Sequence, residues 1–297
     1  MNQPAWSDWQ AVTGWSPDAA VLAETLDGGQ AFRWNLASGS PDVWIGHWAG
    51  GAVQIRRESD RLLWRGAGSL NAADVQHYLG LDRDWGSLTD SLPWRSDPHL
   101  ARCLAAFPGL RILRQPFGET LLGFLCSATK QIVQIKQMVA LLAERHGSPI
   151  RVAKGPGAPP HHALPTWAQL ATIPEAELRS CLLGFRARFI HETALFLAQR
   201  PGWLEETETL PYAAAKARLM ELPGVGEKVA DCVLLFGAGK LEAFPVDTWV
   251  LKSLARRYGL DGWKPAQVAH FGRTHFGPLA GLAQQFLFSW ERKHGGR

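Results

Sequence analysis

Hydrophobic periodicity changes once along this chain, near residue 70, and that change limits the possible folds more than any other feature. From about residue 20 to 66, "QAFRWN", "DVWIGHWAGGAVQIRRE" and "RLLWRG" show partial alternation, β-branched and aromatic residues, and a Gly-Gly turn signal. This pattern predicts antiparallel strands with one sheet face covered. From about residue 71 the apolar residues recur at helical spacing. "NAADVQHYLGL" opens on an asparagine suited to capping. "ETLLGFLCSATKQIVQIKQMVALLAERHG" reads as two helices broken near 128–130, and helices follow at "PTWAQLATI", "EAELRSCLL", "ARFIHETALFLAQR" and "YAAAKARLMEL". The Pro/Gly-rich "GPGAPPHHALPTW" predicts an irregular segment from 154 to about 165. Strands followed by helices predict an α+β fold, with a β-rich domain over 1–100 and a helical domain over 101–297.

The composition fits a globular chain with a sizeable core: 297 residues, 46% hydrophobic and 20% charged. No apolar run reaches the ~18 residues of a membrane span, so no membrane partner is expected. "MNQPAWSDWQ" has neither a basic start nor an apolar signal core, which argues against export. The net charge of +4 permits a polyanion partner without demanding one. Cys103, Cys126, Cys181 and Cys232 contain no C-x-x-C pair, so no metal and no iron–sulfur cluster is expected. The fourteen tryptophans read mostly as core or sheet residues.

"ELPGVGEKVADCVLLFGAG" carries the chemistry. "YAAAKARLMEL" is a helix that stops before Pro223, and Gly224 and Gly226 around Val225 supply a tight turn. A second helix starts near Gly226, and its first N–H groups have no intrahelical partner. Such an N-terminus can hold a phosphate through backbone donors, a grip that reads no sequence. A plain αα-turn with a glycine cap would look the same.

Lys228 stands just inside that second helix. The commoner role of a single lysine is a solvated surface charge. The chemical alternative is an amine nucleophile. A free lysine titrates near ~10.4, and burial or a cationic or dipolar neighbourhood can lower that value. Asp247, in "AFPVDTWVLKSLARRYG", stands where it can cap the next helix. A helix from Gly226 to Phe236 advances about 16 Å, and the link that follows is long enough to bring Asp247 back beside Lys228. One carboxylate can both cap and stabilise developing positive charge.

At these residues the sequence resembles the helix-hairpin-helix base-excision glycosylases, and within them the eukaryotic-type 8-oxoguanine DNA glycosylases. "LPGVGEKVADC" and "PVD" resemble that family's lysine and aspartate motifs. "GGQAFRW", "RILRQ", "LLGFRARFI" and "FGPLAGLAQQFLFS" match further segments in the same order, from about residue 20 to 290. The resemblance implies a TATA-binding-protein-like antiparallel sheet followed by an all-α core of two subdomains, with the helix-hairpin-helix at about 212–236. It implies a bifunctional glycosylase and AP lyase. Lys228 would attack C1′ of the damaged nucleotide, Asp247 would stabilise the charge, and the imine would permit β-elimination. It implies a damaged-base pocket of Gly29, Cys232, Gln284 and Phe288. It also implies double-stranded DNA with a flipped base as partner, a monomer, and a location in the cytoplasm of a bacterium or the nucleus of a eukaryote.

The chain departs from the family pattern in three places. The asparagine cluster that fills the space of the flipped base is replaced by Ala128, Thr129, Lys130 and Gln131, and a family arginine is Gln134. Trp249 stands where the family has a histidine, while Arg186 matches an arginine that contacts the orphaned cytosine. Thr129 and Lys130 remain candidates for the DNA contact. Two other readings stand beside this one: a monofunctional helix-hairpin-helix glycosylase for alkylated bases, similar in fold and using the aspartate with water, which would need no Lys228, and a non-catalytic DNA-binding protein that uses only the hairpin, which would need no Asp247.

Overall fold

The computed structural model describes residues 6–152 and 160–295. Five strands, β1 (Gln10–Val12), β2 (Trp34–Ala37), β3 (Ser40–Trp48), β4 (Gly51–Glu58) and β5 (Arg61–Ala67), form one sheet in the order β1-β5-β4-β3-β2. Every neighbouring pair is antiparallel. The β3–β4 hairpin closes through Ala49 (φ 46°) and Gly50 (φ 76°), the paired positive φ angles that match strand twist. Gly46 lies opposite Trp34, and a Cβ on it would stand 2.6 Å from the indole. The missing side chain leaves room for a ring that is fully buried. The Trp34 indole N–H donates to the Tyr78 hydroxyl at 3.0 Å, and Tyr78 stacks on Trp48 with centroids 4.0 Å apart. Tyr78 ends the helix Ala72–Tyr78, whose N-terminus is closed by reciprocal bonds between Asn71 and Asp74. The sheet face is thus covered, and the expected asparagine cap is present.

Strand structure does not begin at about residue 20. Ala19–Asp27 is a helix, started by Asp18, whose carboxylate accepts from the Val21 N–H at 2.7 Å. Val21, Leu22, Thr25 and Leu26 share its buried side, a helical spacing that the strand reading missed. "EAELRSCLL" is not one regular helix either. After Glu175–Leu178 the chain leaves helical geometry at Cys181 and Leu182, with Leu182 at φ 62°. That turn keeps Cys181 and Leu183 inside and sends Arg186–Ala198 off in a new direction. The break expected near 128–130 does separate Phe117–Leu125 from Ile132–His146. Of the irregular segment expected over 154–165, residues 154–159 lie outside the described residues, while His161–His162 pairs with Pro149–Ile150.

The expected division at residue 100 falls inside the helix Pro98–Ala106. Trp85, Leu92 and Leu100 already belong to the helical core, and so do Val21 and Phe32 from the first part of the chain. Leu113, in turn, packs into the sheet core. Chain order therefore does not separate the two cores cleanly. Among the described residues no helix is long and apolar enough to cross a membrane.

Candidate active site

The hairpin joins the helices Tyr212–Leu219 and Glu227–Phe236. Asp231, 1% exposed, clamps them together. Its carboxylate accepts from the Tyr212 hydroxyl at 2.7 Å and from Lys216 Nζ at 3.0 Å. Only one of the two glycines is conformationally required. Gly224 sits at φ 77°, and a Cβ there would press to 2.6 Å from the Phe189 ring. Gly226 caps the second helix with extended backbone, and a Cβ on it would meet nothing within 4 Å. Val225 is buried, donating its N–H to the Leu222 carbonyl at 3.1 Å, so the turn presents backbone rather than an apolar side chain.

Lys228 is half-buried one residue inside that helix. Its Nζ donates to Ser127 Oγ at 3.2 Å and lies 5.1 Å from the centre of the Phe124 ring. Asp247 caps Thr248–Tyr258, accepting from the N–H groups of Trp249 (3.0 Å) and Val250 (2.8 Å). Burial pushes its carboxyl above the ordinary carboxylate range, opposed by the Val250 N–H and by the positive charge of Lys228. The sequence thus brings Asp247 back into the field of Lys228 while the same carboxylate holds the helix end. Cys232 is buried in this neighbourhood, its thiol pushed up to about 12 by burial with Lys228 opposing. It is a neutral thiol at physiological pH.

A second group of the expected residues gathers around Gly29. This residue sits at φ 109°, and a Cβ would lie 3.0 Å from Ile132 Cδ1 and 3.5 Å from Phe288 Cζ. Its neighbour Gln30 is fully buried and stitched to the extended 111–115 segment. The Gln30 side chain donates to the Arg111 carbonyl (2.9 Å) and accepts from the Leu113 N–H (3.0 Å), while Gln115 Nε2 donates to the Gln30 carbonyl (2.7 Å). These bonds fix the backbone at Gly29. Gln284 and Phe288 lie one helical turn apart on Ala280–His294. The Gln284 amide oxygen is buried and has no hydrogen-bond partner among the described residues. A cleft of about 1420 Å³ between the sheet and Ile132–His146 shares Ile132 with this site, but neither Lys228 nor Asp247 lines it.

Arg186 is only 3% exposed and turned toward the chain itself. It donates to the Ala128 carbonyl through Nε (3.0 Å) and Nη2, and to Thr129 Oγ1 (2.9 Å). Thr129 takes φ 56°, an uncommon conformation for a residue with a Cβ. Lys130 is exposed beside it. Sequence reasoning missed Ser127 and Ile132, and it gave no place to the exposed Leu182 (53%) and Phe185 (51%), the latter with its ring 4.4 Å from the Arg186 guanidinium. For Phe185 a signal existed in "LLGFRARF", an aromatic directly before Arg186. For Ser127 none did, because its role depends on a lysine far along the chain.

Comparison with known proteins assigns the chain to a family. The family model described as 8-oxoguanine DNA glycosylase, N-terminal domain, matches residues 15–121. An N-glycosylase/DNA lyase of Saccharomyces cerevisiae is 31% identical over 266 residues, which is 82% of this chain and 69% of that one. The chain belongs to the N-glycosylase/DNA lyase family. A probable N-glycosylase/DNA lyase of Methanothermobacter thermautotrophicus is 38% identical over 119 residues, 40% of this chain, and the match spans only 38% of that relative's length. Among solved structures, the Clostridium acetobutylicum 8-oxoguanine glycosylase/lyase superposes with TM-score 0.83 at 28% identity, covering 98% of this chain and 99% of that one. That structure is a complex with double-stranded DNA containing cytosine opposite 8-oxoG. The N-glycosylase/DNA lyases thus share with this chain an α+β architecture of an antiparallel sheet followed by a helical core.

Proposed function

We propose that this protein excises oxidised purines, chiefly 8-oxoguanine, from double-stranded DNA in base-excision repair, and that it also cleaves the strand as an AP lyase. The observation that carries the reading is that the half-buried carboxylate of Asp247 lies within the electrostatic field of Lys228, at the mouth of the hairpin's second helix. A lysine amine attacks C1′ of the damaged nucleotide, and the N-glycosidic bond breaks with its electron pair leaving on the base. Asp247 stabilises the positive charge that develops on the sugar. Opening of the sugar ring gives an imine between Lys228 and C1′. Loss of a C2′ proton then expels the 3′ phosphate by β-elimination.

The damaged base is flipped out of the duplex and held between Gly29, Cys232, Gln284 and Phe288. The backbone at Gly29 is fixed by the Gln30 bonds, Phe288 offers a ring face, and the Gln284 oxygen waits for a donor on the base edge. Cys232, as a neutral thiol, packs without adding charge. Gly224, Val225 and Gly226 present the backbone grip on phosphate, and the exposed Thr129 and Lys130 serve the gap left by the flipped base, on a turn held by Arg186. The enzyme acts as a monomer where the DNA is, in the cytoplasm of a bacterium or the nucleus of a eukaryote.

Borohydride trapping on duplexes carrying 8-oxoguanine tests this directly, because only an imine-forming lysine yields a covalent adduct. Excision with trapping is the expected result. Excision without trapping would point to the aspartate–water mechanism instead, and binding without excision to a non-catalytic role.

A further inference from the structure

The mechanism above uses Lys228 and Asp247 but leaves unexplained what aims the lysine amine. Ser127 is 8% exposed and lies in the tight turn between Phe117–Leu125 and Ile132–His146. Its hydroxyl donates to the Phe124 carbonyl at 2.7 Å. That commits its only proton and leaves its lone pairs as acceptors. Lys228 Nζ donates to that oxygen at 3.2 Å, with the Phe124 ring 5.1 Å from the nitrogen. A four-carbon side chain with freely rotating bonds is thereby held at its tip.

The turn that carries Ser127 is itself held from the other side. Arg186 grips the Ala128 carbonyl and Thr129 Oγ1, and its Nη1 donates to the Leu183 carbonyl at 3.0 Å. Thr129 keeps φ 56°, a conformation that persists only where the surroundings hold it. From Arg186 to Lys228 there is one continuous set of bonds, through consecutive residues of a short turn.

We infer that Ser127 is a positioning residue for the Lys228 amine, and that Arg186 acts on the same amine by fixing the turn. Arg186 and Ser127 then form one unit rather than two independent contacts. The inference rests on the reading of Lys228 as nucleophile.

Ser127→Ala removes the acceptor while the Phe124 carbonyl keeps the Ser127 N–H at 3.0 Å, so the turn retains a bond. Excision and trapping at saturating enzyme should slow about three- to tenfold, the weight of one hydrogen bond. Affinity for a duplex carrying a non-cleavable abasic analogue should stay the same. Ser127→Thr, which keeps the hydroxyl, should restore most of the rate. Arg186→Lys cannot fork to both acceptors and should slow the same step. The double variant Ser127→Ala, Arg186→Lys should be no slower than the slower single variant, because both act through one turn.

An unchanged rate in Ser127→Ala would overturn the inference. So would rate losses that multiply in the double variant, or an Arg186→Lys effect confined to duplex affinity. Lys228→Gln run alongside keeps the two claims apart. If it still traps, the nucleophile assignment fails. If it does not trap but Ser127→Ala is fully active, only the positioning role fails.

Discussion

The proposed chemistry turns on two side chains whose neighbourhoods differ. Lys228→Gln removes the amine while keeping a side chain of similar reach, so trapping and strand scission should vanish while lesion binding remains. Residual trapping measured on denaturing gels would show that another amine is used. Asp247 caps a helix and, in the proposed reaction, faces the sugar, and Asp247→Asn separates the two. Asparagine caps a helix about as well as aspartate, so the bonds to Trp249 and Val250 have a replacement acceptor. Burial raises the folded-state pKa of Asp247, so between its unfolded and folded values the folded protein binds more protons than the unfolded one. This group's contribution therefore favours folding at low pH and declines as pH rises through that window. At neutral pH the neutral asparagine escapes the desolvation cost, and the variant should melt no lower than wild type. Its excision rate should fall about 10²-fold or more, because the charge facing the sugar is gone. A variant that loses stability and keeps activity would make Asp247 a cap and nothing else.

At the scale of elements, the hairpin and the 127–130 turn make opposite predictions about what a substitution disturbs. Gly224→Ala forces a Cβ to 2.6 Å from Phe189 at positive φ, and should cost roughly 1–3 kcal/mol of stability or more. Gly226→Ala meets open space, so its cost should be limited to a poorer cap, about 1 kcal/mol at most. Its added methyl stands on the outer face where backbone donors would meet phosphate. Affinity should therefore fall for lesion and undamaged duplexes alike, measured at fixed salt. A loss limited to lesion DNA would contradict the backbone grip. The turn bears on opposite-base choice. Thr129 is short, Gln134 lacks an arginine's fork of donors, and Arg186 is engaged by the turn. Each missing base contact relaxes discrimination by roughly ten- to a few hundred-fold. Excision opposite cytosine is expected, with weaker discrimination against the other three bases than the family pattern implies. Single-turnover rates on four duplexes decide it, and strict cytosine dependence would mean that Thr129, Lys130 or main-chain groups supply the reading.

Across the whole molecule, the two apolar cores interlock. Phe32 comes from the sheet end of the chain, yet its ring meets Phe124 edge-on with centroids 5.1 Å apart. Phe124 stacks on Phe236 of the hairpin helix at 5.6 Å. Lys228 stands over Phe124, so the column of rings runs from the first part of the chain to Lys228. Phe32→Ala should cost about 3–5 kcal/mol. Because Val21 and Phe32 belong to one core and Leu113 to the other, unfolding should be a single transition whose calorimetric and van't Hoff enthalpies agree. Two resolved transitions, with Phe32→Ala moving only one, would mean the halves fold independently.

Local patterns determined much of this. The alternation of β2–β5, the Asn71 cap, the break before Ile132 and the glycine turn before Lys228 are near-neighbour effects, set by sterics and hydrogen bonds within a few residues. The return of Asp247 into the field of Lys228 was also legible, because helix rise and chain reach bound it. The helix at Ala19–Asp27 was misread because a short apolar segment fits either period until burial chooses. Which glycine mattered was decided by Phe189, a residue far from Gly224 in sequence. Whether Arg186 faced outward or into the turn, and whether Ser127 touched Lys228, depended on segments brought together only by packing. Long-range contacts of this kind leave no periodic trace in the chain, since each partner's position is fixed by the core between them and not by its own neighbours.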